Sequence, residues 1–293
     1  MTAAADRSPD VPESVGVLGG GRMGAGIAHA FLVRGAQVVV VERDPASAAA
    51  ARDRIEASVR GSAARGAIGD AAEVTGRLRV STDRDDFRRS DLVIEAVPEV
   101  APLKIEALAD IEKRLSETAS LATNTSSLSI GELSAVLERP HRFLGLHFFN
   151  PVPASTLVEI VTSDSTSAET LERAQRWVRG LGKTAITVRD SPGFASSRLG
   201  VMLALEAMRM VDEGVASPED IDAAMVLGYK HPVGPLRTTD IVGLDVRLGI
   251  AEYLTQTLGD RFSPPEILRR KVAAGDLGRK SGRGFFDWPS SGT

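Results

Sequence analysis

The stretch Ser14-Val-Gly-Val-Leu-Gly-Gly-Gly-Arg-Met-Gly24 decides the fold of this chain. Its first five residues form a short apolar strand. Gly19, Gly21 and Gly24 then give G-x-G-x-x-G, and Ala25 to Arg34 carries apolar residues at helical spacing through Ile27, Ala30, Phe31 and Val33. Gly35 ends that helix, and Val38-Val-Val-Val41 is a buried strand closed by Glu42-Arg-Asp44. Strand, glycine turn, helix and strand within about 30 residues make a βαβ unit. Spaced glycines alone are weak evidence in a chain with 28 Gly. The strand before them, the helix after them and the acidic Glu42 about 20 positions on make this a dinucleotide-binding fingerprint.

Each part has a physical task. Gly19 permits the tight turn, Gly21 lets a pyrophosphate approach the backbone, and Gly24 allows close helix–strand packing. The helix N-terminus offers N–H groups and a positive dipole end to phosphates. Glu42 accepts hydrogen bonds from the adenine-ribose hydroxyls and repels a 2′-phosphate, which favours NAD over NADP. The neighbouring Arg43 pulls the other way, since a guanidinium can hold that phosphate. The fingerprint alone also admits FAD.

Working outward, strand and helix keep alternating. Ala46 to Arg65 reads as a helix, Leu78 to Thr82 and Leu92 to Val97 as strands, and Leu103 to Leu115 as a helix. Ser120 to Thr123 is a strand ended by the polar turn Asn124-Thr-Ser-Ser127. Phe143 to Phe149, Leu157 to Val161 and Ala185 to Val188 are further strands, the last two separated by a helix over Thr170 to Leu181. This order predicts an α/β fold: a Rossmann-like, doubly wound, mostly parallel sheet over residues 14–190. Ser191-Pro-Gly193 breaks the pattern. Beyond it Phe194 to Gly214 is one long apolar helix, and Ser217-Pro218 starts another as N-cap and N1 proline. Residues 191–293 are therefore expected to form a second, smaller all-α domain. Residues 1–13 read as a disordered tail.

Composition narrows the chemistry. Cys is absent, which removes disulfides, Cys-ligated metals and thiol nucleophiles. No spacing suggests a metal site. The net charge of −4 disfavours nucleic acid as a partner. No apolar run reaches the roughly 18 residues of a membrane span. The N-terminus lacks the basic and apolar regions of a signal peptide, so the expected location is the cytoplasm.

Four His remain: His29, His141, His147 and His231. His147 interrupts the apolar strand Leu144-Gly-Leu-His-Phe-Phe149, and Glu159 interrupts the next, Leu157-Val-Glu-Ile160. A buried Glu is costly unless paired. A His–Glu pair across adjacent strands removes that cost and orients an imidazole as general base. The C-terminal ends of such strands face the ligand crevice, where the Asn124–Ser127 turn also opens. The other three His read as structural.

The chain resembles the 3-hydroxyacyl-CoA dehydrogenase family in its short bacterial 3-hydroxybutyryl-CoA dehydrogenase form. The resemblance is carried by Gly19-Gly-Gly-Arg-Met-Gly-Ala-Gly26, Asp91-Leu-Val-Ile-Glu-Ala-Val97, Asn124-Thr-Ser-Ser-Leu128 and His147-Phe-Phe-Asn-Pro-Val-Pro153. It continues through Pro192-Gly-Phe194, His231-Pro-Val-Gly-Pro235 and Leu277-Gly-Arg-Lys-Ser-Gly-Arg-Gly-Phe-Phe286. It implies NAD along Gly19, Gly20, Gly21, Arg22, Met23 and Gly24, with further contacts from Glu42, Glu99, Lys104, Ser126, Asn150 and Lys280. It implies an acyl-CoA substrate, His147 as base, Glu159 orienting it, and Ser126 on the reacting oxygen. Ser58 and Arg65 match positions that hold the CoA part. It also implies a homodimer through the helical domain.

One departure concerns the family's Pro-Gly-Phe motif, which normally runs on to Asn-Arg. Here it reads Pro192-Gly-Phe-Ala-Ser-Ser-Arg198, with Ser197 in the Asn position. A serine hydroxyl also donates, but it is shorter and rotates. This implies weaker turnover of standard short acyl-CoAs or a different acyl group. Two other readings stand beside the main one: a dehydrogenase of a free hydroxy acid of carnitine or gulonate type, and a catalytically weak NAD- or acyl-CoA-binding protein.

Overall fold

The computed structural model describes residues 9–289. They divide into two compact units, which meet at Asp190 and Ser191 along the chain.

The first unit runs β1 (Ser14–Leu18), α1 (Arg22–Leu32), β2 (Gln37–Val41), α2 (Pro45–Ala64), α3 (Ala71–Thr75), β3 (Leu78–Ser81), β4 (Leu92–Glu95) and α4 (Ala101–Glu112). It continues with β5 (Ser120–Thr123), α5 (Ile130–Ser134), β6 (Phe143–Phe148), β7 (Leu157–Thr162), α6 (Ala168–Gly180) and β8 (Thr184–Arg189). The eight strands form one sheet in the order β3-β2-β1-β4-β5-β6-β7-β8. Every neighbouring pair is parallel except β6–β7. The chain leaves β1 toward β2 and β3, then crosses to β4 on the other side. That reversal opens a crevice at the strand C-termini. The central strands β4, β5 and β6 are buried along their whole length, as parallel strands covered on both faces must be. The edge strand β8 is exposed at three of its six residues.

Local chemistry sets the helix starts. Asp44 caps α2 by accepting from the Ser47 N–H at 2.7 Å, with Pro45 at the first helical position. Two short helices went unread in the sequence. Ser129 and Glu132 flank the start of α5 with capping-box spacing, and Asp70 caps α3. Each helix has only five residues, too few for a periodicity to show.

Of the tail expected over residues 1–13, residues 1–8 lie outside the described residues. The rest is not a tail. Val11 is buried in the sheet-side core, and the Glu13 carbonyl accepts from Gln37 N–H at 2.9 Å.

The second unit is helical: α7 (Ser196–Asp212), α8 (Pro218–Ala223), α9 (Pro235–Val242), α10 (Leu244–Leu258) and α11 (Glu266–Ala273). Val201, Leu205, Met208, Leu236, Leu254 and Phe262 share its core. Ser217 caps α8 through the Asp220 N–H. Asp222 accepts from Leu236 and Arg237 N–H at 2.8 and 2.9 Å at the start of α9, and burial raises its pKa. Asp240 on α9 accepts from Phe285 and Phe286 N–H and from the Trp288 indole at 2.8–2.9 Å, which fastens the C-terminal segment. Among the described residues no helix is long and apolar enough to cross a membrane.

Candidate active site

The glycine loop is shaped for close approach. Gly19 takes φ +92° as the chain leaves β1, and a Cβ on Gly24 would overlap the Gly19 carbonyl oxygen. A Cβ on Gly21 would meet nothing within 4 Å. Gly21 begins α1 without a side-chain cap, so this open side lies at the positive end of an eleven-residue helix. Arg22 is exposed and Met23 half-buried beside it. An open backbone cradle at a helix N-terminus fits a dinucleotide pyrophosphate.

Glu42 is built into this loop. Its Oε1 accepts from Gly20 N–H at 2.6 Å, and its Oε2 from Arg43 N–H at 3.2 Å. Arg43 turns its guanidinium to Asp44 at 2.9 Å. The carboxylate, rather than the guanidinium, is therefore tied to the loop. Arg54, which the sequence did not single out, donates to the Gly20 carbonyl at 3.1 Å.

At the ends of β4 and β5 a second cluster forms. Lys104 is fully buried, and its ammonium donates to Glu95 Oε1 at 2.7 Å and to the Val97 carbonyl at 3.1 Å. It lies 3.3 Å from Glu99 Oε2. Two of its three donor hydrogens are taken by these bonds, and Glu99 completes the site as an ion pair. Glu99 Oε1 accepts from Thr125 Oγ1 at 2.6 Å and Ser126 N–H at 2.8 Å, which fixes the turn carrying Ser126. Glu95 also accepts from Thr123 Oγ1 at 2.6 Å. The structure thus joins Glu99, Lys104 and Ser126, and adds Glu95. Its signal was in the sequence: a charge closing the apolar run Leu92-Val-Ile94.

His147 and Glu159 are register partners on the antiparallel β6–β7 pair. His147 Nδ1 lies 2.7 Å from Glu159 Oε2, Glu159 is 0% exposed and His147 5%. The Phe149 ring packs on the imidazole with centroids 4.5 Å apart. Asn124 Oδ1 accepts from Phe148 N–H at 2.9 Å. The ends of β4, β5, β6 and β7 are therefore laced together through Glu95–Thr123, Asn124–Phe148 and His147–Glu159. Asn150 is exposed just past β6, and its peptide bond to Pro151 is cis.

Ser58 is half-buried on α2, and Arg65 sits at that helix's C-cap with Nη2 donating to Ser62 Oγ at 3.3 Å. Arg65 lines a cavity of about 650 Å³ together with Arg34, Lys183, His29 and Ser62. Ser58 does not line it. His29 is 4% exposed and 3.0 Å from Ser62 Oγ. Burial, then the charges of Arg65 and Lys183, lower its pKa to about 4. The folded pKa lies below the unfolded 6.5, so the neutral ring's contribution is complete above pH 6.5 and is lost as pH falls toward 4. Between pH 7 and pH 5 the first unit should lose about 2 kcal/mol from this group. Urea unfolding at both values checks it. A His29→Gln variant that keeps the full slope would place the loss elsewhere.

In the helical unit Ser197 is the second residue of α7 and half-buried. Lys280 pairs with Asp245 at 2.6 Å.

Residues 14–191 match the model of the 3-hydroxyacyl-CoA dehydrogenase NAD binding domain, and residues 193–288 that of the family's C-terminal domain. A 3-hydroxybutyryl-CoA dehydrogenase of Mycobacterium tuberculosis is 40% identical over 95% of this chain and 99% of its own length. The mitochondrial hydroxyacyl-coenzyme A dehydrogenase of Sus scrofa is 38% identical over 98% of this chain and 95% of its own. The solved structure of (S)-3-hydroxybutyryl-CoA dehydrogenase from Ralstonia eutropha superposes with a TM-score of 0.90 at 40% identity. That match covers 95% of this chain and 100% of that one. With a dinucleotide cradle and a buried His–Glu pair on the sheet's strand ends, the chain belongs to the NAD-dependent 3-hydroxyacyl-CoA dehydrogenase family.

Proposed function

We propose that the protein interconverts an (S)-3-hydroxyacyl-CoA and its 3-oxoacyl-CoA, with His147 as the proton acceptor. The buried His147–Glu159 pair at 2.7 Å carries this reading. A carboxylate beside Nδ1 holds the proton on that nitrogen, which leaves Nε2 as the basic one. In the oxidative direction the substrate 3-hydroxyl gives its proton to Nε2. The C3 hydrogen leaves as hydride, and the C3–O bond becomes a carbonyl. NAD, when bound, supplies the hydride acceptor. Glu159 stabilises the imidazolium that forms, and both protein groups reverse their roles in reduction.

The remaining residues take supporting tasks. Ser126 is positioned by Glu99 to donate to the reacting oxygen, and Ser197 donates to a substrate carbonyl oxygen. Asn150 and Lys280 contact the cofactor, and Ser58 and Arg65 take the CoA part. Glu99 meets the cofactor, and Lys104, fully buried and ion-paired with it, steadies it there. Glu42 on the loop makes NAD the preferred dinucleotide. The enzyme works in the cytoplasm as a homodimer through its helical domain. Exposed Leu199, Leu227 and Tyr229, each more than two-thirds accessible, support that association.

The test is oxidation of NADH by a 3-oxoacyl-CoA, by the matching free acid, and by the thioester with NADPH, on protein whose mass is read by light scattering. Turnover is expected with the thioester and NADH. Turnover of the free acid but not the thioester would overturn the substrate, and a monomer would overturn the assembly.

A further inference from the structure

Arg247 lies on α10 in the helical unit, and it is 8% exposed. Among the described residues no carboxylate pairs with it, and its Nε has no hydrogen-bond partner. Asp245, two positions before it on α10, pairs with Lys280 instead. Burial alone lowers the Arg247 pKa to about 10, so the guanidinium stays charged at neutral pH. A buried charge without a counter-ion is costly to keep. An anionic group on a ligand would supply the missing counter-ion.

The guanidinium faces α7. A Cβ on Gly200 would lie 3.4 Å from Nη1 and 3.8 Å from Nη2. That is ordinary contact distance, so the flat head lies against this position of α7. Gly200 lies three residues after Ser197. On a helix that spacing puts two positions on one face with Cβ atoms about 5–6 Å apart. The unpaired cation is thus about one helical turn from the hydroxyl assigned above to a substrate carbonyl.

We infer that Arg247 selects an acyl chain ending in a carboxylate: Ser197 holds an oxygen near the reacting carbon while the guanidinium takes the far end. This rests on the proposed function. The phosphates of CoA are a poorer fit, because the whole pantetheine arm separates them from the thioester. A one-turn spacing suits a short chain, with the carboxylate a few carbons beyond C3. The planar fork of Arg matches a carboxylate with two parallel hydrogen bonds.

The experiment compares two six-carbon 3-oxoacyl-CoA esters, one ending in a methyl group and one in a carboxylate. Four-carbon 3-oxobutyryl-CoA is run beside them. The wild-type kcat/KM is expected to favour the carboxylate-ended ester by about tenfold or more. Arg247→Met should bring the ratio of the two six-carbon values to about one, mainly through KM, and Arg247→Lys should restore part of it. A wild-type enzyme that treats both six-carbon esters alike, or prefers the methyl end, overturns the inference, and this arm needs no variant. An Arg247→Met enzyme that keeps the ratio but loses its dimer overturns it too, by showing a partner carboxylate as the counter-ion. Failure of all three esters would instead sink the proposed function.

Discussion

Replacing His147 by Gln is expected to lower kcat by about 10²–10⁴-fold, the usual worth of a positioned general base. The side chain that takes the proton is gone, while the glycine loop and the Glu42 anchor remain. KM for NADH should therefore change little, so the loss should appear in kcat and kcat/KM alike. Glu159→Gln tests the other half. An amide there can orient the ring but cannot stabilise an imidazolium, and it can also present an N–H that forces the wrong tautomer. In catalytic triads removing the charge of the orienting carboxylate costs as much as about 10⁴-fold. A loss of about 10²-fold or more is expected here. Both variants disturb a pair that is almost wholly buried, so circular dichroism should first confirm the folded fraction. A folded His147→Gln enzyme with wild-type turnover would remove His147 from the chemistry.

Different physical signals made different parts of this molecule readable. The strands β1, β2 and β4 are runs of Val, Leu and Ile because both faces of a parallel sheet are covered, so their places showed at once. His147 and Glu159 showed because each breaks such a run, and the antiparallel register then makes them neighbours. Glu95 breaks a run in the same way. It went unmarked because it stands last in its strand, where a charge also suits an exposed turn. Its partner Lys104 lies on α4, across a loop with no regular spacing. Arg247 gave no sign at all. It lies against Gly200 on α7, a contact between positions nearly fifty residues apart. The order of packing in the helical unit was hidden for the same reason. Its caps and clamps, Asp222 to Leu236 and Asp240 to Trp288, join residues well separated in the chain.

The buried Lys104 ammonium, bonded to Glu95 at the end of β4, is expected to matter for stability. Lys104→Met leaves Glu95 wholly buried without its cation, and leaves Glu99 beside it with the same charge. Removing one partner of a buried ion pair costs about 3–5 kcal/mol, because the charge left behind has neither water nor a counter-ion. Urea unfolding of the variant should show a loss in that range. Lys280→Met is the matched control. That pair with Asp245 is also short, at 2.6 Å, but both side chains are more than one-third exposed. Solvent screening should hold its cost to about 1 kcal/mol or less. The double variant Glu95→Met, Lys104→Met should recover much of the single variant's loss, since no unpaired charge remains. It should not recover NADH binding, because Lys104 also steadies Glu99, which holds the Ser126 turn. Stability that returns without cofactor affinity would mark Lys104 as a positioning residue. Equal small losses for Lys104→Met and Lys280→Met would instead show that the buried cluster contributes no more than a surface pair.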